Sequence, residues 1–185
     1  AQLLDQGLPV KVFLLDDARS SRQNAATDLA YHNLSLIPFL GLDAVQVGQH
    51  SLADADHLFK GLISALGKPG AAVLRLLTPD FQAGNPQWLH ELANNTRAWV
   101  HLDYRPDRHS QLMVSRLHLR DNPAADNDWT SHTIKYGSEE NPQTMNYELT
   151  PADWYYVQPG YRHGFGPYQP DLGNALPVAD YLRLD

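Results

Sequence analysis

A strand–helix–strand pattern in residues 44–77 constrains the fold more than any other feature of the chain. Residues 44–47 (AVQV) and 71–77 (AAVLRLL) are short apolar runs, which are typical of strands that are covered on both faces of a sheet. Apolar residues recur between them at helical spacing, after Ser51 and Asp54 as a capping-box pair and before Gly67 and Pro69 as a stop. This order predicts a βαβ unit, with parallel strands and a right-handed crossover.

The helix of this unit has an apolar and a polar face in the sequence. We expect the apolar face to pack on the sheet and the polar face to meet solvent. The apolar positions are Ala55, Leu58, Phe59, Leu62, Ile63 and Leu66, and the polar positions are Asp54, Asp56, His57, Lys60 and Ser64.

The remaining segments divide the chain into two unlike halves. Residues 10–15 (VKVFLL) predict another strand, and residues 86–94 a short helix. Four β-like runs follow at 99–104, 112–119, 129–136 and 144–149, with turn-rich connectors that favour an antiparallel meander. A helix that Thr150 caps is expected through residue 157, an irregular segment over 159–173 and a last helical turn or two over 176–184.

These elements predict an α/β fold with three α/β/α layers around a parallel sheet, an appended antiparallel β meander and short C-terminal helices. Residues 1–98 would form the α/β part, and residues 99–185 a β-rich C-terminal extension that packs on it as one compact unit.

Composition excludes several classes of protein. The 185 residues carry a net charge of −7 without a basic cluster, which argues against a nucleic-acid surface. The chain has no cysteine, so disulfides, thiolate zinc sites and cysteine-ligated iron–sulfur clusters are excluded. No apolar run could span a bilayer of about 30 Å. The first residues resemble no signal peptide and lack an initiator Met, which leads us to expect a fragment of a longer protein.

Histidines form the densest group of candidate metal ligands. His101 and Asp103 lie on one face of a predicted strand, and His109 follows beyond a turn, but the spacing is not diagnostic of a metal site. Ordinary polar residues are the favoured interpretation, and cross-strand pairing is the one for His118 and His132.

Two other groups could carry chemistry. Ser20 and Ser21 follow a strand, but no GxSxG, GxGxxG, Walker-type or HExxH motif accompanies them. The aromatic residues of the C-terminal region could form a binding platform, although packing onto the sheet is favoured because aromatics are the largest units of apolar area. They are Trp154, Tyr155, Tyr156, Tyr161, Phe165 and Tyr168.

The segment 16–21 (DDARSS) lies at the carboxyl end of the first predicted strand, where parallel α/β sheets bind ligands. Asp16 and Asp17 could hold Mg²⁺ together with phosphate oxygens. On spacing alone, a helix cap and a solvated carboxylate are favoured over a metal site.

Seven segments, taken in chain order, resemble one known family. They cover nearly the whole chain: GLPVKVFLLD at 7–16, ATDLAYHN at 26–33, AVQVGQHSLADADHLFKGLISALGKPGAAVLRLLTPD at 44–80, NTRAWVHLDYRPDR at 95–108, NPAADNDWTSHTIKY at 122–136, ELTPADWYYVQPGYRHGF at 148–165 and PVADYLRLD at 177–185. This ordered set resembles the C-terminal part of the thiamine-diphosphate-binding region of pyruvate:ferredoxin (flavodoxin) oxidoreductases and related 2-oxoacid:ferredoxin oxidoreductases.

The resemblance implies a thiamine-diphosphate-binding-type domain of a cytoplasmic enzyme that decarboxylates a 2-oxoacid oxidatively. In that family, electrons pass through iron–sulfur clusters to ferredoxin or flavodoxin, and the acyl group passes to coenzyme A. A Gly-Asp-Gly element and a loop of the form Asp-Thr-x-x-x-Ser-Asn, followed by Thr-Gly-Gly-Gln, hold the cofactor diphosphate and Mg²⁺.

This chain matches the family loop only in part. Asp16 and Ser21 match, while Asp17 stands at the Thr metal ligand and Arg22 at the Asn. The Gly-Asp-Gly element and the glycine pair are absent, and without the glycines the backbone cannot approach a phosphate closely. Under the resemblance, Asp16, Asp17, Arg19 and Ser21 are the cofactor-contact candidates, with Asp17 nearest the metal and no catalytic residue in the chain.

Two functions from different classes follow. The first is a fragment or domain of a 2-oxoacid:ferredoxin oxidoreductase-like protein that is inactive and binds no thiamine diphosphate tightly on its own. Its partners would be the remaining domains or subunits, ferredoxin or flavodoxin, and a second copy in a dimer. The alternative is a degenerate, non-catalytic α/β module for interaction or assembly, and no motif favours a free-standing hydrolase or metalloenzyme.

Overall fold

A five-stranded mixed sheet organises the fold. The computed structural model describes residues 4, 8–16, 36–42, 44–80, 84–105, 112–119, 122–123, 130–138, 140–159 and 161–166. The strands are β1 (Lys11–Asp16), β2 (Val45–His50), β3 (Ala71–Leu77), β4 (Leu102–Tyr104) and β5 (Leu117–His118), and their order in the sheet is β1-β3-β2-β4-β5. In the described part of the connection between β1 and β2, Ile37–Leu40 form one helical turn, α1.

The predicted βαβ unit is confirmed as two parallel, adjacent strands joined by a helix. β2 pairs with β3 from Val45↔Ala71 to His50↔Leu76, and the connection is a 3₁₀ turn (Leu52–Asp54) followed by α2 (Ala55–Gly67). The expected capping pair acts as two successive caps. The Ser51 hydroxyl accepts the Ala53 N–H at 3.2 Å, and the Asp54 carboxylate accepts the His57 N–H at 2.8 Å.

The expected buried face of α2 is wrong in part. Gly61 and Ala65 are the buried residues of the helix, whereas Phe59, Ile63 and Leu66 are exposed. Small residues let the helix axis approach β2 and β3 closely, so the covered face is narrow. The apolar stripe of the sequence is wider than the surface of the sheet that covers it.

The second half adds antiparallel strands to the same sheet, instead of leaving it purely parallel. β4 runs antiparallel to β2, and β5 antiparallel to β4. The run expected as a strand over 112–119 is instead one helical turn, α4 (Met113–Arg116), followed by the two-residue β5. The preceding helix, α3 (Pro86–Asn95), begins after the Asn85 cap as expected.

A separate two-stranded antiparallel sheet consists of β6 (Ser131–Ser138) and β7 (Asn141–Glu148), which pair from Ser131↔Glu148 to Ser138↔Asn141. Gly137 has a φ of +95°, and a Cβ there would lie 2.6 Å from the Asn141 carbonyl oxygen, so the turn requires glycine. The described structure is therefore mixed α/β, with one mixed and one antiparallel sheet.

The C-terminal aromatics pack into the core, as expected for most of those described. Helix α5 (Pro151–Val157) begins with the predicted cap, in which the Asp153 carboxylate accepts the Thr150 N–H at 2.7 Å. Trp154, Tyr155 and Tyr161 are buried in a cluster with side chains of β3, α3 and the segment before β4. Tyr156 is exposed, and Tyr168 lies outside the described residues.

The remaining expectations concern the C-terminal segments, the domain boundary and membrane-spanning helices. A 3₁₀ turn (Arg162–Gly164) occupies part of the segment expected to be irregular, and the helical turn expected over 176–184 lies outside the described residues. The division at residues 98 and 99 stays a prediction. Among the described residues, no helix is both long and apolar enough to cross a membrane.

Candidate functional site

A cluster of imidazole and carboxylate side chains lies where β2 ends. His50 is the last residue of β2, and His57 lies in the first turn of α2. Asp103 is on β4, directly opposite Gly48 of β2. Residues opposite each other in a sheet share a face, and so do residues two apart along a strand, so His50 and Asp103 project from the same side of the sheet.

Two glycines make the space that the His50 ring occupies. A Cβ on Gly48 would lie 2.5 Å from His50 Nε2, and a Cβ on Gly61 would lie 2.4 Å from the same atom. Any side chain at either position would displace the imidazole. Gly48 thus opens the sheet face toward Asp103, and Gly61 lets α2 pass over the ring.

The three side chains contact one another in sequence. His57 Nε2 lies 2.8 Å from Asp103 Oδ2, and His57 Nδ1 lies 3.4 Å from His50 Nδ1. His50 Nε2 lies 3.8 Å from Asp103 Oδ1. One nitrogen from each imidazole and one carboxylate oxygen all lie within 4.8 Å of one another, so these residues could together hold a metal ion.

Further polar residues surround the cluster. His101 Nε2 lies 2.8 Å from the buried Ser51 hydroxyl, and the rings of His57 and His101 are 5.6 Å apart between centroids. The Asn122 side chain binds the backbone of His101 at both ends, accepting its N–H at 2.6 Å and donating to its carbonyl at 2.7 Å. These contacts fix the chain just before β4, and with it the position of Asp103.

Burial determines the protonation of two histidines. It lowers the pKa of His50 to about 4, an effect that the nearby Asp103 carboxylate opposes only in part. Burial, assisted by the nearby His101, also lowers the pKa of His90 on α3 to about 4. His90 Nδ1 accepts the Leu52 N–H at 3.3 Å, so the proton of the neutral ring lies on Nε2. Both rings are neutral at pH 7.

An open cleft of about 380 Å³ lies beside the cluster. Its wall includes the ring of His57, which is 14% exposed, and the buried carboxylate of Asp103, so solvent in the cleft reaches the His57 ring. The cleft is lined by Asp54, Asp56, His57, Lys60, Asp103, Arg105 and His118. Arg105 lies 3.6 Å from Asp103, and Lys60 pairs with Asp56 on the exposed side of α2.

The predicted cofactor loop is described at one residue only. Asp16 ends β1, and its carboxylate accepts a hydrogen bond from Arg75 Nε at 2.7 Å. Arg75 is buried, bonds to Gln49 at 2.9 Å and stacks on the Trp99 ring at 4.6 Å. This network pairs Asp16 with a buried guanidinium at the end of β1, and the cofactor contact predicted for Asp16 stays a prediction. Asp17, Arg19 and Ser21, like Ser20, lie outside the described residues, and cofactor contact there stays a prediction.

The expected histidine group is brought together only in part. Asp103 belongs to the cluster and His101 lies beside it, but His109 is outside the described residues. His118 pairs with Asp103 across β4 and β5, and His132 with Tyr147 across β6 and β7, so the expectation of ordinary strand pairing for both is confirmed.

Sequence reasoning missed His50 and His57 as site residues. His57 was expected on the solvent face of α2, whereas its side chain lies against Asp103 and is only 14% exposed. A usable signal was present, because His50 follows the strand predicted at 44–47 within three residues, close to the strand end where α/β proteins place ligands. His57 follows seven residues later, at the start of the next helix.

Comparison with known proteins leaves the family open. The chain matches no protein-family model, and a search of curated proteins finds no match. The family resemblance therefore rests on the seven sequence segments, and the site rests on its geometry.

Proposed function

We propose that the chain is an α/β module of a 2-oxoacid:ferredoxin oxidoreductase-like protein and is inactive without the other parts of that protein. The proposed fold is the three-layer, thiamine-diphosphate-binding type, completed by a neighbouring domain. One observation carries this proposal: the apolar strand β1 is exposed along one side.

The exposure of β1 is unusual for a parallel strand. In the described part of the chain, β1 has a neighbouring strand, β3, on one side only. Leu15 and Phe13 are 70% and 41% exposed. Parallel strands normally lie inside sheets with both faces covered, and an uncovered apolar edge promotes association. Covering a large apolar side chain stabilises an assembly by about 1.5–3 kcal/mol.

The occupant that fits is another α/β domain of the same oxidoreductase, one strand of which would pair with the free edge of β1 while its side chains cover the face that Phe13 and Leu15 share. In the resembled family, the strand that carries the Gly-Asp-Gly element precedes the strand corresponding to β1. Such a partner would supply the diphosphate-binding glycines that this chain lacks, while Asp16 stays paired with Arg75. Thiamine diphosphate and Mg²⁺ would then bind mainly to the partner.

The test is to purify the tagged protein from its own cells under native conditions and assay the eluate. We expect 2-oxoacid- and coenzyme-A-dependent reduction of a low-potential dye. Leu15→Lys should remove this activity from the eluate by placing a charge on the apolar face that the partner would cover. Val114→Lys, at a position 82% exposed on α4, is the matched control and should retain it. An inactive eluate from the unaltered protein contradicts the proposal.

A second measurement tests the isolated chain. Calorimetric titration with thiamine diphosphate and Mg²⁺ should give no saturable heat, and saturable binding would contradict the assignment of the cradle to a partner.

A non-catalytic assembly module is the second candidate, favoured by the exposed stripe of Phe59, Ile63 and Leu66 on α2. These residues recur at helical spacing, so they form a continuous apolar surface that a second copy of the chain can cover. Sedimentation velocity should then show a dimer that Ile63→Lys dissociates and Val114→Lys leaves intact. A monomer at all concentrations would contradict this second candidate.

A further inference from the structure

We propose that His50, His57 and Asp103 bind a divalent transition-metal ion, of which Zn²⁺ is the probe of choice. This site is separate from the Mg²⁺ that the family resemblance implies, because it lies at the ends of β2 and β4 and not in the segment after β1. It is also independent of the proposed oxidoreductase partner.

The donor atoms match this class of metal. Two imidazole nitrogens and one carboxylate oxygen are the ligand set of catalytic zinc and of non-haem iron sites, whereas Mg²⁺ and Ca²⁺ prefer oxygen ligands alone. Ligands 2.0–2.1 Å from a tetrahedral Zn²⁺ are about 3.3 Å from one another. With one donor atom taken from each residue, the three atoms lie within 4.8 Å of one another, so the side chains would have to close by about 1.5 Å or less around the ion.

Two buried atoms in the cluster lack a hydrogen-bond partner. In the described part of the chain, neither His50 Nε2 nor Asp103 Oδ1 has one, although the two side chains are only 0% and 4% exposed. Such an orphaned polar group costs about 1–3 kcal/mol. A cation held between the two side chains would give both groups a partner.

The charge of the Asp103 carboxylate also favours a bound cation. Asp103 is buried, and its two nearer basic neighbours, His57 at 2.8 Å and the half-exposed Arg105 at 3.6 Å, both lie against Oδ2. Among the described ion pairs, Oδ1 therefore faces only His50, at 3.8 Å. A buried carboxylate is stable only when it is paired or bound to a metal. Two neutral imidazoles, one carboxylate and a divalent ion would leave a single positive charge, which water and the open cleft can solvate.

The cleft beside the cluster would leave a bound metal ion accessible to water. The described chain supplies three ligands, and the cleft of about 380 Å³ lies beside His57 and Asp103. A fourth coordination position would therefore face solvent and hold an exchangeable water. That arrangement is typical of catalytic metal sites, whereas structural zinc sites are closed by four protein ligands.

The experiment is a titration of the full, chelator-treated chain with ZnCl₂ by isothermal calorimetry, repeated with CoCl₂ by visible absorption. We expect one ion per chain and the absorption of four-coordinate Co²⁺. His57→Gln and Asp103→Asn should each weaken binding about 100-fold or more, because even outer-shell substitutions cost about 10–100-fold. His118→Gln is the matched control, since it changes a histidine of the same cleft outside the ligand set.

Each outcome decides the proposal. Absence of Zn²⁺ and Co²⁺ binding by the unaltered chain overturns it and makes the cluster a hydrogen-bonded part of the core. Binding that survives both ligand substitutions, or that His118→Gln removes, also overturns it. Circular dichroism checks the fold of each variant. Should Asp103→Asn unfold, His57→Gln still decides, because this ring is more exposed than Asp103, 14% against 4%, and lines the open cleft.

Discussion

Protonation of His90 should destabilise the protein as the pH falls below neutrality. The ring is almost completely buried, and its pKa is about 4 in the folded state. In the unfolded chain, a histidine has a pKa of about 6.5. Between about pH 4 and pH 6.5 the unfolded state binds more protons than the folded state. The contribution of the neutral His90 ring to the free energy of unfolding is therefore fully present above about pH 6.5 and is lost as the pH falls toward 4.

The magnitude follows from the two pKa values. At pH 5 the unfolded histidine is almost fully protonated and the folded one is mostly neutral, which lowers the free energy of unfolding by about 2 kcal/mol relative to pH 8. His90→Asn removes the titrating ring while keeping an acceptor for the Leu52 N–H. The variant is expected to be less stable at pH 8 because a smaller side chain leaves a cavity, but it should lose about 2 kcal/mol less between pH 8 and pH 5.

The assay is urea denaturation at pH 8, 7, 6 and 5, with the free energy of unfolding compared between the two proteins. His132→Asn, on the exposed face of β6, is the control and should keep the pH dependence of the unaltered chain. Equal pH dependence in the His90→Asn variant and the unaltered protein would refute the reasoning.

Five further substitutions, two of which serve as comparisons, test the packing by denaturant unfolding. Gly61→Ala should destabilise the fold by about 1–3 kcal/mol and weaken Zn²⁺ binding, because its Cβ meets a histidine ring at 2.4 Å. Gly67→Ala, with open space at its Cβ, should change stability by less than about 1 kcal/mol, and an equal loss at both glycines would contradict the packing argument. Trp154→Ala should cost about 3–5 kcal/mol and Tyr156→Ala far less, since the first ring is buried and the second exposed; similar losses would place neither in the core. Arg75→Met should cost about 3 kcal/mol by leaving the carboxylate of β1 without its buried partner, and a neutral effect would show that the pair adds nothing to stability.

Periodicity predicts the local elements of this chain well, where a segment is long and its ends carry turn or cap residues. The strand at 71–77 and the helix that Thr150 caps are both observed with the expected bounds. Periodicity predicts residues 112–119 less well. Their apolar residues fit a strand. The observed helical turn and two-residue strand instead depend on how much of this segment pairs with β4, which is a property of the tertiary structure.

The candidate site could be predicted only in part, for a similar reason. Asp103 and His101 attract notice because they are close in sequence, whereas His50 and Asp103 are brought together by an antiparallel pairing between β2 and β4. The sequence does not specify that pairing. The glycines that make space for the His50 ring are equally hard to interpret before the helix is placed over the sheet.

The two successive caps between β2 and α2 fix the length and path of this short connection. Ser51 fixes the first turn and Asp54 the second, so six residues separate the two histidines in one defined path. One residue inserted after Asp54 would rotate the second imidazole by about 100° around the helix axis and carry it away from β4. Homologous chains that keep this chemistry should therefore tolerate substitutions here but not changes in length. A His-x₆-His spacing at a strand end is the signature by which to recognise them.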